Sequence, residues 1–371
     1  MGDPEPQRLT SFQKLLAWAI LGGFSVFFAE IVIGSSPFAF FDVWGILVVC
    51  PLYTLHLLVL ARIAFWRGPP RFPTLFFAGV LIGLYEAYMT KMLWNPNWGP
   101  HPAVILGGVP VIETIILILW WHPFMAFLVP LLVGETVLCR SRHVARALPE
   151  RLRRMLFGRR SAVVLVVLAV LAGLLASGPH NTRPSVVHIL VSIIPSAAVL
   201  LALVWLWRRT TRGVRMSLPD LLPTNREFVL LCVCLGLLYV VLGIGIRPDA
   251  LPGLGPQASI WLVYAVMIAG LWLALRRPRP PSALERRDPP DRFSWRLWLA
   301  LAGVIAVTAV VARLALGSGT QAFMIVSLVV GAPIGVATLV LCIRDLVRRR
   351  PAQAGSSRGK EPLPQVAPIN P

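Results

Sequence analysis

A chain of 371 residues that is 57% hydrophobic and only 14% charged, with a mean hydropathy of +0.74, has too little charge to cover a water-soluble fold. Apolar runs such as SAVVLVVLAVLAGLLASG (161–178) match a bilayer-crossing helix and show no strand alternation, which excludes a soluble domain and an outer-membrane barrel. The formal charge of +19 does not point to nucleic acid, because Lys and Arg punctuate the ends of apolar runs instead of covering a soluble face.

In chain order, residues 1–11 are a polar N-terminal segment. A first span near 12–33 follows without a small-residue cleavage site, so a retained helix is expected, with a removed signal peptide as the alternative. Further spans are predicted near 42–62, 73–94, 111–139, 161–178, 186–207, 227–246, 258–275, 297–316 and 322–343. The expected fold is all-α: a polytopic transmembrane bundle of about ten spans, with both termini cytoplasmic and no large soluble domain.

Charge placement supports that order. With the N-terminus inside, 31 of the 35 Lys and Arg residues fall in the cytoplasmic segments, against Arg183 and Arg247 in external loops. Reading 103–139 as two short spans would reverse every later loop. One long helix bent at Pro123 and Pro130 keeps the rule. The stretch 95–110, rich in Gly and Pro, is then an external, partly re-entrant loop.

The basic loop 140–160 includes PERLRRMLF (149–157), which reads as a short interfacial helix whose arginines meet anionic lipid headgroups at the cytoplasmic face. Residues 344–371 read as a basic, Pro-rich disordered tail. The five cysteines lie in or beside apolar runs, and Cys232 and Cys234 point about 200° apart on a helix, so inert thiols are expected. The inner cell membrane is the expected location.

Ionisable groups inside spans mark candidate function. Glu30, Glu86, Lys91, Glu113, Glu135, His56 and His122 all precede residue 140, so chemistry is assigned to 12–139 and the spans of 161–343 read mainly as scaffold. Glu30, Glu86, Lys91 and Glu113 fall toward the external side, and His56 and Glu135 toward the cytoplasm. On the third span, Gly79, Gly83, Glu86, Ala87, Thr90, Lys91 and Trp94 share an arc of about 140°. Gly79, Gly83 and Ala87 make a small-xxx-small seam, so Glu86 and Lys91 should meet a neighbouring helix. Glu86 and Lys91 are too far apart around the axis to pair, and a Glu30–Lys91 link would leave Glu86 as the candidate proton or cation carrier.

Structural readings stand beside these. Lys91 can snorkel, Glu113 can serve the helix start after Pro110, Asp42 can cap a helix, and Glu135 can form a rim salt bridge with Arg140 or Arg142. His56 reads as a satisfied core residue, and His122 as a donor to carbonyls freed by Pro123. Trp94, Trp98, Trp120, Trp121 and His122 are candidate pocket lining.

No phosphate loop, HExxH, GxSxG or aspartate-rich magnesium cluster is present, no cofactor-binding residue is assigned, and the cofactor is unknown. His101, His180 and His188 share a side with Glu113 but lack ligand spacing, so no metal site is assigned. The best functional expectation is a secondary transporter or permease-like protein with an outward-facing acidic site, acting on a small cationic or amphiphilic molecule. An intramembrane enzyme on a lipid or lipid-linked substrate at the outer leaflet is the alternative, and a non-catalytic assembly factor the third.

Overall fold

The computed structural model describes residues 9–88, 104–178, 185–211, 216–246, 253–277 and 295–348. Helix α1 (Ser11–Ile31) starts at a capping box, in which Thr10 and Gln13 satisfy each other's backbone amides. Helix α2 (Gly45–Ala64) begins where Asp42 accepts a hydrogen bond from the Gly45 amide, so Asp42 does cap a helix. Helix α3 (Phe72–Glu86) is apolar on all sides and buried almost throughout, as a helix without a polar face must be inside a bundle.

Before α4 (Val111–Leu138), two strands, β1 (Ile105–Leu106) and β2 (Val109–Pro110), pair antiparallel. Gly107 and Gly108 have φ of +57° and +77°, the left-handed pair that a two-residue hairpin turn needs. The first part of the expected re-entrant loop, 95–103, lies outside the described residues. Helix α4 is one continuous run through Pro123 and Pro130, as the basic-residue pattern requires.

Two short helices follow, α5 (His143–Ala147) and α6 (Glu150–Phe157). The second meets α7 (Ser161–Ala176) at 93°, the angle a helix lying along an interface makes with one crossing it. Then come α8 (Val186–Thr210), the short α9 (Leu218–Leu221), α10 (Asn225–Gly243) and α11 (Leu254–Arg276). The last described helices are α12 (Trp295–Leu316) and α13 (Gln321–Val347).

Helices stand at all ten expected positions, but among the described residues seven runs are long and apolar enough to cross a membrane by themselves, or eight with α6 and α7 as one bent pair. The difference has physical causes. Helix α3 has 15 residues and α7 has 16, both short for a full crossing, although α3 keeps helical winding through residue 88. The last run, Arg296–Val347, counts as one stretch of 52 residues, which at 1.5 Å per residue reaches about 78 Å, far beyond a bilayer core of about 30 Å. It is broken at Gly317–Thr320, where Gly317 takes φ +54° and so leaves the right-handed helix.

The core lies among the early helices. Two-thirds of the apolar window of α1 and of α4 is buried (67% each), against 11% for α10 and 17% for α11. The later helices present Leu230, Leu237, Leu262, Val329 and similar side chains outward, as a hydrocarbon solvent permits. Helices α3 and α4 touch along the predicted small-residue seam: a Cβ on Gly79 would lie 2.7 Å from the Pro123 Cα, and one on Gly83 2.7 Å from the Ile118 Cα. Ser25 and Trp121 tie α1 to α4 by hydrogen bonds to the carbonyls of Ala126 and Ala29, the second at 3.0 Å. At the basic end, ion pairs Lys14–Glu227 and Arg71–Asp345 join α1 to α10 and α3 to α13.

Candidate functional site

Four helices deliver one polar side chain each to a common point: Glu30 from α1, Tyr53 from α2, Glu86 from α3 and His122 from α4. One ligand atom from each of Glu30, Glu86 and His122 lies within 4.8 Å of the other two. Glu30 is 9% exposed and His122 2%. The Tyr53 hydroxyl donates to Glu30 Oε1 and lies 3.2 Å from His122 Nε2, and the Ser35 hydroxyl donates to Glu30 Oε2. His122 Nδ1 is 3.3 Å from the Leu117 carbonyl, five residues back on the same helix.

The backbone around the point is unusual. Residues 27–31, which include Glu30, 45–49 at the start of α2, and 116–128, which include His122, all wind with i→i+5 hydrogen bonds. Residues 87–88, directly after Glu86, do the same. Such winding is rare in helices and concentrates at functional positions, because it displaces a side chain from the register that packing alone would choose.

A narrow gap beside the cluster is lined by Leu52, Tyr53, His56, Ile82, Tyr85, Glu86 and His122. His56, expected toward the basic side, thus shares the gap with Glu86. Its Nδ1 is 2.8 Å from the Leu52 carbonyl and its Nε2 2.6 Å from the Tyr239 hydroxyl, so both ring nitrogens have partners. The Tyr85 ring lies 4.3 Å from that of His56 and 5.0 Å from that of Tyr239. The Tyr85 hydroxyl is buried and has no hydrogen-bond partner among the described residues.

The remaining sequence candidates are placed elsewhere. Glu113 sits half-buried in the first turn of α4, as a carboxylate at a helix start does, apart from the cluster. Trp120 packs its ring on Phe124 and against Gly331 of α13, where a Cβ would come within 2.1 Å of its Nε1, and Trp121 turns to Ala29. Neither tryptophan lines the gap. Lys91, Trp94 and Trp98 lie outside the described residues, as do His101, His180 and the tail beyond residue 348.

Glu135 requires a correction. It is fully buried, and its carboxylate accepts the backbone amides of His143, Val144 (2.9 Å) and Ala145 (3.3 Å) at the start of α5. It is a helix-capping anion in the interior and not a rim salt bridge, because the chain folds back at 139–142 and brings an unsatisfied helix start onto it. Arg142, also buried, turns its Nη1 to the carbonyls of Glu135, Cys139 and Ser141.

Sequence reasoning passed over the tyrosines. All five in the chain, Tyr53, Tyr85, Tyr88, Tyr239 and Tyr264, gather around this gap or its edge, Tyr88 and Tyr264 through Trp261. Their rarity and their position far from the span ends, where membrane tyrosines normally collect, was the available signal.

Among known proteins, an Archaeoglobus fulgidus protein described as an uncharacterized protein is 33% identical over 280 residues, covering 76% of this chain and 84% of the relative. No solved structure matches. A family model described as "Uncharacterized membrane protein family" matches residues 19–349, a range that takes in Glu30, Tyr53, Glu86 and His122, and the chain belongs to that family of membrane proteins.

Proposed function

We propose that the protein is a secondary transporter in which Glu30, Glu86 and His122 hold the coupling proton or cation. The observation that supports this reading is the convergence of two carboxylates and an imidazole from three helices, each at or beside non-α winding, in the interior of a bundle. Charges at that depth are costly in hydrocarbon and persist where they serve transport or catalysis. Transporters build such sites where helices are locally irregular, because freed backbone groups and re-aimed side chains then share the ligand. Two carboxylates favour a cationic solute.

The test uses the purified protein in liposomes with a trapped pH dye. A panel of small organic cations is added outside, and proton counterflow is followed. At least one compound should drive counterflow in the wild type and none in Glu86→Gln. Silence of the wild type across the panel would remove the transport reading, and unchanged counterflow in Glu86→Gln would remove Glu86 from it.

A further inference from the structure

We infer that Glu30, Glu86 and His122 form a binding site for one divalent first-row metal ion, with the Tyr53 and Ser35 hydroxyls orienting Glu30 and the Tyr85 hydroxyl in the adjoining gap. The inference deepens the reading above by naming the cation, but it rests on ligand geometry and not on transport.

Three features of the cluster support it. The first is spacing. Three ligand atoms about 2.1 Å from one metal lie about 3.5 Å from one another, so atoms already within 4.8 Å need to close by at most about 1.3 Å, within the reach of side-chain rotation. The second is orientation. A metal-binding histidine commonly gives its second ring N–H to a carbonyl or carboxylate, which fixes the ring and leaves the other lone pair for the ion. His122 has its Nδ1 3.3 Å from the Leu117 carbonyl and its Nε2 3.2 Å from the Tyr53 hydroxyl. Glu30 is likewise held by Ser35 and Tyr53.

The third is a proton shortage. The Tyr53 hydroxyl has one hydrogen, which goes to Glu30, yet it also sits 3.2 Å from His122 Nε2. With Nδ1–H turned to Leu117, the Nε2 lone pair faces an oxygen lone pair, and a metal ion or an added proton shared among these groups relieves the clash. A divalent ion does so while balancing both carboxylates, which leaves the site neutral in a medium that penalises net charge.

The Tyr85 hydroxyl points to a ligand independently of the cluster's own hydrogen bonds. It belongs to a residue 2% exposed, lines the same gap as Glu86 and His122, and has no hydrogen-bond partner among the described residues. A buried hydroxyl normally finds one, and an oxygen of the ion's coordination sphere supplies it. Imidazole with carboxylates suits zinc, iron or manganese and argues against magnesium and calcium, which take oxygen ligands alone.

The experiment strips the full-length, detergent-purified protein with EDTA, adds zinc, removes the excess by gel filtration, and measures bound metal by mass spectrometry. The wild type should retain about one zinc per chain, as a single closed site does. Against a chromophoric chelator, Glu86→Gln and His122→Gln should lose most of the affinity. Tyr53→Phe should weaken it by about 10–100-fold, the usual effect of removing an orienting group. His188→Gln, on α8, should leave it unchanged. No zinc retained by the wild type, or equal retention by Glu86→Gln and His122→Gln, overturns the site. Should those variants aggregate, cobalt in the wild type decides: a visible ligand-field band, displaced by zinc, supports the site, and a colourless protein overturns it. Zinc bound without proton counterflow would keep the metal and remove transport, whereas counterflow without zinc would do the reverse.

Discussion

Glu135 and Glu86 are both carboxylates on membrane helices, and their surroundings give them opposite work. Glu135 is the acceptor for three backbone amides at the start of α5. A buried amide left without an acceptor costs about 1–3 kcal/mol, so Glu135→Ala should destabilise the fold by about 3 kcal/mol or more. A large drop in the melting temperature of the detergent-purified protein would register this, and an unchanged melt would remove the capping role. Glu86 sits beside Glu30 instead, where like charges in an apolar setting oppose the fold. Glu86→Gln should therefore melt at or above the wild type in metal-free buffer. If it collapses, the Glu86 charge is helix–helix glue and the functional site proposed here is wrong.

At the scale of helices, the α3–α4 seam sets the site. Between two helices in lipid there is no hydrophobic drive to associate, so backbone approach at small residues carries the packing. A side chain at Gly83 would press on the backbone of Leu117 and Ile118, only a turn from His122. Gly83→Val should destabilise by about 1–3 kcal/mol, the usual penalty of overpacking, and should also weaken zinc binding by moving α4 off Glu86. Gly236 on α10 and Gly303 on α12 have nothing within 4 Å of a built Cβ. Alanine at either should be neutral or stabilising by about 0.5–1 kcal/mol, since it only removes the helical penalty of glycine. Thermal melts with zinc titration separate the two classes, and equal effects at Gly83 and Gly236 would mean that the seam is not a tight contact.

At the scale of the whole molecule, α1, α3 and α4 form a buried centre and α10 to α13 an outer layer with apolar side chains facing outward. The basic segments 62–71, 140–160 and 344–348 lie at one end of the helices, and the site lies toward the other. Orientation is then a prediction from charge: a cytoplasm-dependent reporter should be active when fused within 140–160 or after residue 348, and inactive within 34–42 or at 317–320. Activity at 34–42 would invert the bundle and place the acidic site on the cytoplasmic side.

The amino-acid sequence alone determined the class of solvent, the order of helices, the continuity of α4 and the small-residue seam. Each of these is local: a run of apolar residues, a proline, a spacing of four, or the side on which arginine falls is read within one segment. Glu30, Glu86 and His122 were legible one by one as misplaced polar residues, and Lys91, which the sequence offered as a partner for Glu30, lies outside the described residues. Only the tertiary structure decided that the three converge, that Tyr53 stands between Glu30 and His122, and that Glu135 caps a helix start. Those facts depend on how four helices rotate and slide against one another, and on i→i+5 turns that shift a side chain by a fraction of a turn. A periodicity of 100° per residue averages over shifts of that size, so helical spacing locates the residues on their own helices but not on each other.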